Sequence, residues 1–250
     1  MFFLRYGKLN FDILFIGEQR SMRMRKKPNL IPRMERCAGV LITEPETLRG
    51  RWLEVYPGHK ELHLEIGCGK GRFTADTAEQ NPDVFLAAVE KVPDAMVVGM
   101  ERVTERGLTN VRFLDFDAKD ILTIFAPEEV RRIYINFPDP WKKSRQKKRR
   151  LTYPAFLALY AQVLPVGGEI WFKSDNDPLF EWSVEQFQEM GWELRELTRN
   201  LHENGPVGVM TDYEAKFHAE GVTINRVVAV KTEETKCDFS LGTSTDSEPV

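Results

Sequence analysis

Seven short apolar runs follow one another between residues 61 and 232, and amphipathic stretches separate most of them. The runs are ELHLEIG, VFLAAVE, VRFLDFD, RRIYINF, GGEIWFKSD, WELRELT and GVTINRVVAVKT. Helical patterns lie at about residues 71–80, 93–106, 153–163 and 178–190. Strands that alternate with helices form a parallel sheet covered on both faces. The sequence therefore predicts an α/β fold with a mostly parallel, seven-stranded sheet and helices on both faces.

The length of 250 residues is enough for one substantial α/β domain. We expect that domain to span residues 22–231, with a basic and helical addition before the first strand; residues 37–58 form its helical part. Residues 1–21 are predicted to be a disordered extension or a mis-assigned start. Residues 232–250 are polar and are predicted to be a disordered tail.

The net charge is -3, so the chain is not a globally basic nucleic-acid binder. Its positive charge is local, near residues 20–36 and in the run at residues 142–150. Such runs are typical both of phosphate contact and of an ordinary solvated surface.

The three cysteines show no metal-ligand spacing and no disulfide framework. They predict a reduced, cytoplasmic protein without a metal site. No apolar run approaches the length of a membrane span, so we expect no membrane association.

A glycine-rich turn lies within LEIGCGKGRF at residues 64–73, after the first predicted strand. Gly67, Gly69 and Gly71 allow a tight turn and bring a ligand close to the main chain. The dinucleotide fingerprint G-x-G-x-x-G is not matched, because Arg72 stands where its last glycine would be. A tight connection without a ligand would use the same glycines.

Acidic residues stand at the ends of three predicted strands. Glu90 ends the second strand, where a carboxylate accepts hydrogen bonds from ribose hydroxyls. Asp117 follows the third strand and is placed for an adenine amine, whereas Glu65 at the glycine turn is placed for an ammonium group. Each acid alone also fits a helix cap or a solvated strand end. Together they favour a nucleoside-containing cofactor, and S-adenosylmethionine combines all three groups without a phosphate.

The segment NFPDPWKKSRQKKRR at residues 136–150 follows the fourth predicted strand. Asp139 lies between two prolines, whose fixed φ angles stiffen the loop. Ligands of open α/β sheets bind outside the carboxyl ends of the strands. A carboxylate there, beside a basic run, predicts chemistry on a nucleic-acid base. Trp141 either stacks on an extruded base or anchors the loop.

These motifs resemble those of the bacterial tRNA (guanine-N7)-methyltransferase family, whose members are class I S-adenosylmethionine-dependent enzymes. The resembling segments are LEIGCGKGRF at 64–73, the run at 136–150, FKSDN at 172–176 and TDYEAKF at 211–217. The resemblance spans roughly residues 22–231. It implies a Rossmann-like fold, tRNA as the partner and methylation of N7 of a guanosine in the variable loop. Related enzymes occur as monomers and as homodimers.

The resemblance also implies roles for individual positions. Asp139 matches the residue proposed as catalytic and also, with Glu65, Glu90 and Asp117, the acids of the cofactor site. The substrate-contacting positions are Lys143, Asp175, Thr211, Asp212, Tyr213 and Glu214, and the RNA-contacting positions are Arg145, Gln146, Lys147, Lys148, Arg149 and Arg150. From the residues alone, positions 211–214 form a capping box, and Asp175 fits an Asx turn or a helix cap.

Guanine N7 carries a free lone pair at neutral pH, so its methylation needs no strong base. The methylated purine becomes positively charged, and a fixed carboxylate offsets such a charge as it develops. We therefore expect Asp139 to orient the base and stabilise the transition state. The alternatives are another RNA or small-molecule methyltransferase, or an inactive RNA-binding module. The basic run argues against a small-molecule substrate, and the intact turn and acids argue against inactivity.

Overall fold

The fold is described from a computed structural model, which describes residues 29–239. The predictions for residues 1–21 and for the basic segment 22–28 lie outside the described residues, as does the end of the tail at 240–250.

Helices and strands alternate along the described chain. The helices are α1 (Leu30–Arg36), α2 (Trp52–Val55), α3 (Arg72–Gln80), α4 (Pro93–Glu105), α5 (Ile121–Ile124), α6 (Pro154–Val163), α7 (Asp177–Glu189) and α8 (Asp212–Ala219). The strands are β1 (Leu41–Ile42), β2 (Glu61–Ile66), β3 (Val84–Val89), β4 (Val111–Leu114), β5 (Arg132–Asn136), β6 (Glu169–Ser174), β7 (Glu193–Thr198) and β8 (Asn225–Val230). The four helices predicted from periodicity correspond to α3, α4, α6 and α7.

The strands form one sheet in the order β1-β4-β3-β2-β5-β6-β8-β7. Pairing is parallel from β1 to β6, whereas β8 runs antiparallel to both β6 and β7. This arrangement confirms the predicted mostly parallel sheet. From β2 the chain continues to β3 and β4 on one side of the sheet, whereas β5 pairs with the opposite side of β2. The strand order therefore reverses beside β2.

The sheet has one strand more than predicted. The additional strand, β1, is only two residues long and pairs with the edge of β4. It lies in residues 37–58, where a helical addition was expected; that segment instead contains β1, the short α2 and two 3₁₀ turns. A two-residue strand carries no alternating pattern, so its pairing depends on the neighbouring edge and not on local sequence.

Two apolar layers cover the sheet. Residues of α5, α6 and α7 pack with Trp52 against one face. Residues of α3 and α4 pack against the other, together with Cys37 after α1. The central strand β2 is buried along all but its first residue, as expected for a parallel strand covered on both faces. Because β2 to β5 run parallel, their carboxyl ends lie along one edge of the sheet.

Residues 232–239 differ from the expected disordered tail, because they close the end of α7. The hydroxyls of Thr232 and Thr235 each donate to the carbonyl of Gly191 at 3.0 Å. The amide of Lys236 donates to the carbonyl of Met190 at 2.9 Å. These bonds satisfy carbonyls that the end of a helix leaves without partners. Polar composition indicated disorder here, whereas the same polar groups serve as caps.

Candidate active site

A cavity of about 530 Å³ lies outside the carboxyl ends of β2, β3, β4 and β5. This volume is in the range of small-molecule sites, and its place beside the reversal of strand order is where open α/β sheets bind ligands. Four of the residues predicted for the cofactor site line it: Gly67, Glu90, Asp117 and Asp139.

The three glycines of the turn serve two purposes. All three have positive φ angles, of 81° at Gly67, 57° at Gly69 and 68° at Gly71. A Cβ atom at Gly67 or Gly69 would meet open space. One at Gly71 would lie 2.5 Å from the Cα atom of Gly99 in α4, so Gly71 is required for the contact of α3 with α4. Only Gly67 of the three lines the cavity.

Glu90 fastens the glycine turn to the end of β3. One carboxylate oxygen accepts from the amide of Gly69 at 2.8 Å, and the other accepts from the amide of Val92 at 2.9 Å. Both oxygens are therefore oriented by backbone groups before any ligand arrives. Because Glu90 also lines the cavity, its fixed carboxylate is available to a ligand hydroxyl.

Asp117 begins the short 3₁₀ turn after β4. It accepts from the amide of Lys119 at 3.2 Å and from Nζ of Lys91 at 2.7 Å. Burial acts to raise the pKa of Asp117, but these two donors outweigh it and the pKa is lowered. The carboxylate therefore stays ionised as a hydrogen-bond acceptor. Phe116 lines the cavity beside it and offers an apolar surface for a flat ring.

Glu65 lies beneath the turn and not among the residues that line the cavity. Thr74 donates to its carboxylate at 2.6 Å, and the Asn136 amide lies 3.4 Å from its other oxygen. Burial raises the pKa of Glu65 to about 7, although both hydrogen bonds oppose that shift. Its predicted contact with an ammonium group stays a prediction.

The loop at residues 137–141 after β5, which we call the acid loop, presents Asp139 to the cavity. Two residues that flank it have positive φ angles, 53° at Phe137 and 42° at Trp141. Asp139 itself is exposed, and no described cation pairs with it. The loop therefore combines a constrained backbone with an unpaired carboxylate.

The basic run does not face solvent uniformly. Residues Ser144–Arg149 form a 3₁₀ helix that exposes Arg145, Lys147, Lys148 and Arg149. Gln146 and Arg150 are buried instead. The prediction that all six residues face RNA therefore needs correction for these two, because their side chains are buried.

Trp141 lies half-buried at the rim of the cavity, with the guanidinium of Arg149 4.1 Å from its ring centre. Lys148 and Arg149 also line the cavity, although the sequence analysis assigns these two residues only to RNA contact. A basic residue stacked on an aromatic ring gives this rim both positive charge and a flat face. The two interpretations of Trp141, base stacking and loop anchoring, are both compatible with this position.

The segment 211–214 adjoins the acid loop through aromatic contacts. The rings of Tyr213 and Phe137 lie 5.3 Å apart, and burial together with the nearby Asp175 carboxylate raises the pKa of Tyr213. Asp212 pairs with Arg102 at 2.9 Å. Lys143 is exposed at the start of the 3₁₀ helix. Asp175, Tyr213 and the acid loop thus occur together, whereas Asp212 is turned toward α4.

Glu214 is the member of this segment that sequence reasoning placed wrongly, because its side chain is fully buried. Both oxygens accept from Nζ of Lys173, at 2.9 and 3.0 Å, and one accepts from Nε2 of His202 at 2.9 Å. The amide of Val207 donates to Nδ1 of His202, so the proton of the imidazole resides on Nε2. The predicted capping box with Thr211 is confirmed. A substrate has no access to this carboxylate, which instead joins β6, α8 and the loop between β7 and α8.

Sequence reasoning gave His202 no role and did not identify Lys173. The capping-box pattern was the only local signal of Glu214, and it does not reveal a partner 41 residues away. Within residues 29–239, no cluster of His, Cys, Asp or Glu could hold a metal ion. In the same range, no helix is long and apolar enough to cross a membrane.

Comparison with known proteins identifies methyltransferases as relatives of this chain. The model of a family described as "Putative methyltransferase" matches residues 59–227. A tRNA (guanine-N(7)-)-methyltransferase of Geobacillus kaustophilus (strain HTA426) is 43% identical over 84% of this chain and 97% of its own length. A protein with the same description from Geobacillus thermodenitrificans (strain NG80-2) is 42% identical over 84% of this chain and 98% of its own.

Solved structures confirm the architecture. The crystal structure of the 16S rRNA methyltransferase KamB covers 73% of this chain and 93% of its own, with a TM-score of 0.57 and 16% identity. At that identity the likeness shows the fold alone. The fold is the Rossmann-like one of class I methyltransferases, as the sequence predicts.

Proposed function

This chain belongs to the tRNA (guanine-N(7)-)-methyltransferase family, and we propose that it transfers a methyl group from S-adenosylmethionine to N7 of a guanosine in the variable loop of tRNA. One observation of the structure carries the proposal. The cavity, the unpaired carboxylate of Asp139 and the exposed basic residues all lie at the same edge of the sheet.

The cavity fits the cofactor by its donor and acceptor groups. Glu90 would accept from the ribose hydroxyls, and Asp117 would accept from the adenine amine beside the ring of Phe116. Gly67 leaves open space for the remainder of the molecule. When bound, S-adenosylmethionine supplies an electrophilic methyl group on a positively charged sulfur.

Asp139 acts on the substrate side of the same cavity. As N7 forms its bond to the methyl group, positive charge develops on the guanine, and the carboxylate carried by this constrained loop stabilises that charge. No proton is removed from N7, so Asp139 does not act as a general base. The constrained backbone around Asp139 reduces the reorganisation needed to align the base for in-line transfer.

The exposed side chains of the basic run bind the phosphate backbone. Arg145, Lys147 and Lys148 project from one short helix beside the cavity mouth. Such contacts give strongly salt-dependent affinity and do not read base sequence. The free thiols of all three cysteines support action in the reducing cytoplasm, where we place this enzyme. Exposed Tyr213 and half-buried Asp175 remain available for contact with the guanosine.

Methylation of tRNA that carries no modifications, followed by nucleoside mass spectrometry, tests the proposal. We expect 7-methylguanosine to appear, dependent on S-adenosylmethionine, and to map to the variable loop. A variant tRNA with adenosine in place of that guanosine is the matched control. Methylation of another atom or another nucleotide would overturn the assignment, and methylation of the control would overturn the position.

A further inference from the structure

Arg150 differs from the other basic residues of its run because only 8% of it is exposed. Its Nε donates to the carbonyl of Pro140 at 3.0 Å, and Nη2 lies 3.5 Å from the carbonyl of Trp141. The guanidinium also stacks on the ring of Trp182, with 4.4 Å to the ring centre. No carboxylate of the described chain forms an ion pair with it. Its partners are therefore backbone carbonyls and an aromatic face.

The two carbonyls belong to the residues that directly follow Asp139. Trp141 is held at a φ of 42°, a left-handed conformation that persists only where surrounding contacts over-determine it. A guanidinium that bonds to the carbonyls of residues 140 and 141 supplies such contacts. It acts on the part of the backbone that determines where the Asp139 carboxylate points.

Arg150 is itself fixed to α7. Trp182, on which it stacks, lies in that helix. Two residues after Arg150, the buried hydroxyl of Thr152 is 2.7 Å from the hydroxyl of Ser183, also in α7. Burial lowers the pKa of Arg150, as expected for a cation removed from solvent. The acid loop is thereby linked to a helix packed in the core.

We propose that Arg150 is a positioning residue: its guanidinium fixes the backbone of residues 139–141 so that Asp139 faces the cavity, and it makes no contact with tRNA. The proposal rests on the function proposed above for Asp139. It removes Arg150 from the RNA-facing set that the resemblance implies.

Lysine tests this role because it keeps the charge but lacks the planar fork that bonds two carbonyls while stacking on a ring. In Arg150→Lys we expect kcat at saturating tRNA to fall at least about tenfold, because the reacting groups lose their alignment. The tRNA Kd and its dependence on salt should stay near those of the wild type. Lys147→Ala is the reference, since loss of an exposed phosphate contact should weaken binding and lower the salt slope by about one.

A second measurement does not depend on turnover or on full deletion of the side chain. Hydrogen exchange of the Phe137 amide, which begins this loop and donates to the carbonyl of Lys173 at 2.9 Å, should accelerate in Arg150→Lys and stay unchanged in Lys147→Ala, with equal thermal unfolding temperatures as the control for folding. Exchange that stays slow in Arg150→Lys would overturn the proposal, and so would a loss of tRNA affinity with kcat retained. If the wild type fails to methylate tRNA, the function proposed for the site fails, whereas the exchange comparison still decides whether Arg150 fixes the loop.

Discussion

The two walls of the cavity are built in different ways. The cofactor wall consists of the turn at 67–71 with Glu90 and Asp117, and its polar groups are held by nearby backbone amides and Lys91. The substrate wall consists of residues 136–150 and of the adjoining segment 211–214, which does not itself line the cavity, and it is held by side chains from other elements of the fold. Arg150 reaches Trp182, and Glu214 reaches Lys173 and His202. Positions at strand ends therefore identify the polar groups of the first wall, whereas the side chains that hold the second wall leave no such signal.

The largest expected effect concerns the buried ion pair of the substrate wall. Lys173→Met leaves the Glu214 carboxylate buried without its cation, and removal of one partner of such a pair costs about 3–5 kcal/mol of the free energy of unfolding. Denaturant unfolding measures this loss. Lys216→Met is the matched control in α8, where an exposed lysine lies 3.8 Å from Glu220, and we expect little change. Similar stabilities of the two variants would show that the substrate wall does not depend on its buried pair.

This contrast explains which site residues the sequence predicts. Glu90 and Asp117 follow directly from their places at strand ends, because parallel strands bring those ends together. The role of Glu214 does not follow in this way. The pattern T-x-x-E reveals the helix cap but not the lysine in β6 that pairs with the buried carboxylate. Likewise, Arg149 and Arg150 are the same residue type side by side, and only tertiary packing separates the exposed one from the buried one.

The fold shows the same limit on a larger scale. Long periodic segments such as α4 and α7 were predicted to within about two residues, because an apolar face with helical period leaves a strong pattern. The strand β1 left no pattern, because its two residues gain their pairing only from the edge of β4.

The second effect lies in the pH dependence of the cofactor wall. The carboxyl of Glu65 has a pKa of about 7 in the folded chain, against an ordinary value of 4.5. As pH rises from 4.5 to 7, the unfolded chain releases this proton while the folded chain retains it, so folding stability falls. The loss is about 3 kcal/mol and is complete above pH 7.

Glu65→Gln removes this titration, so its stability relative to the wild type should increase between acidic and neutral pH. Denaturant unfolding of both proteins at several pH values measures the difference. A difference that does not vary with pH would mean that Glu65 titrates normally. The description of Glu65 as a buried carboxyl with a raised pKa beneath the glycine turn would then be wrong.

The smallest effect separates two glycines of one turn. Gly71→Ala places a Cβ atom 2.5 Å from Gly99, whereas Gly69→Ala meets open space at a similar positive φ. Left-handed strain is common to both, so the added clash should make Gly71→Ala less stable than Gly69→Ala by about 1–3 kcal/mol. Denaturant midpoints compare the two variants. Equal midpoints would contradict the division of the turn into a packing glycine and an open one.

The rate of methyl transfer in Asp139→Asn tests the central claim, that the exposed carboxylate of the substrate wall stabilises the charge developing on guanine. The measurement is a single turnover with saturating tRNA and S-adenosylmethionine, beside equilibrium titrations of both ligands. We predict a rate about 10²–10³ below the wild type, since a fixed electrostatic contact acts mainly in the transition state, with both affinities nearly unchanged. A variant that transfers the methyl group at the wild-type rate would contradict the account.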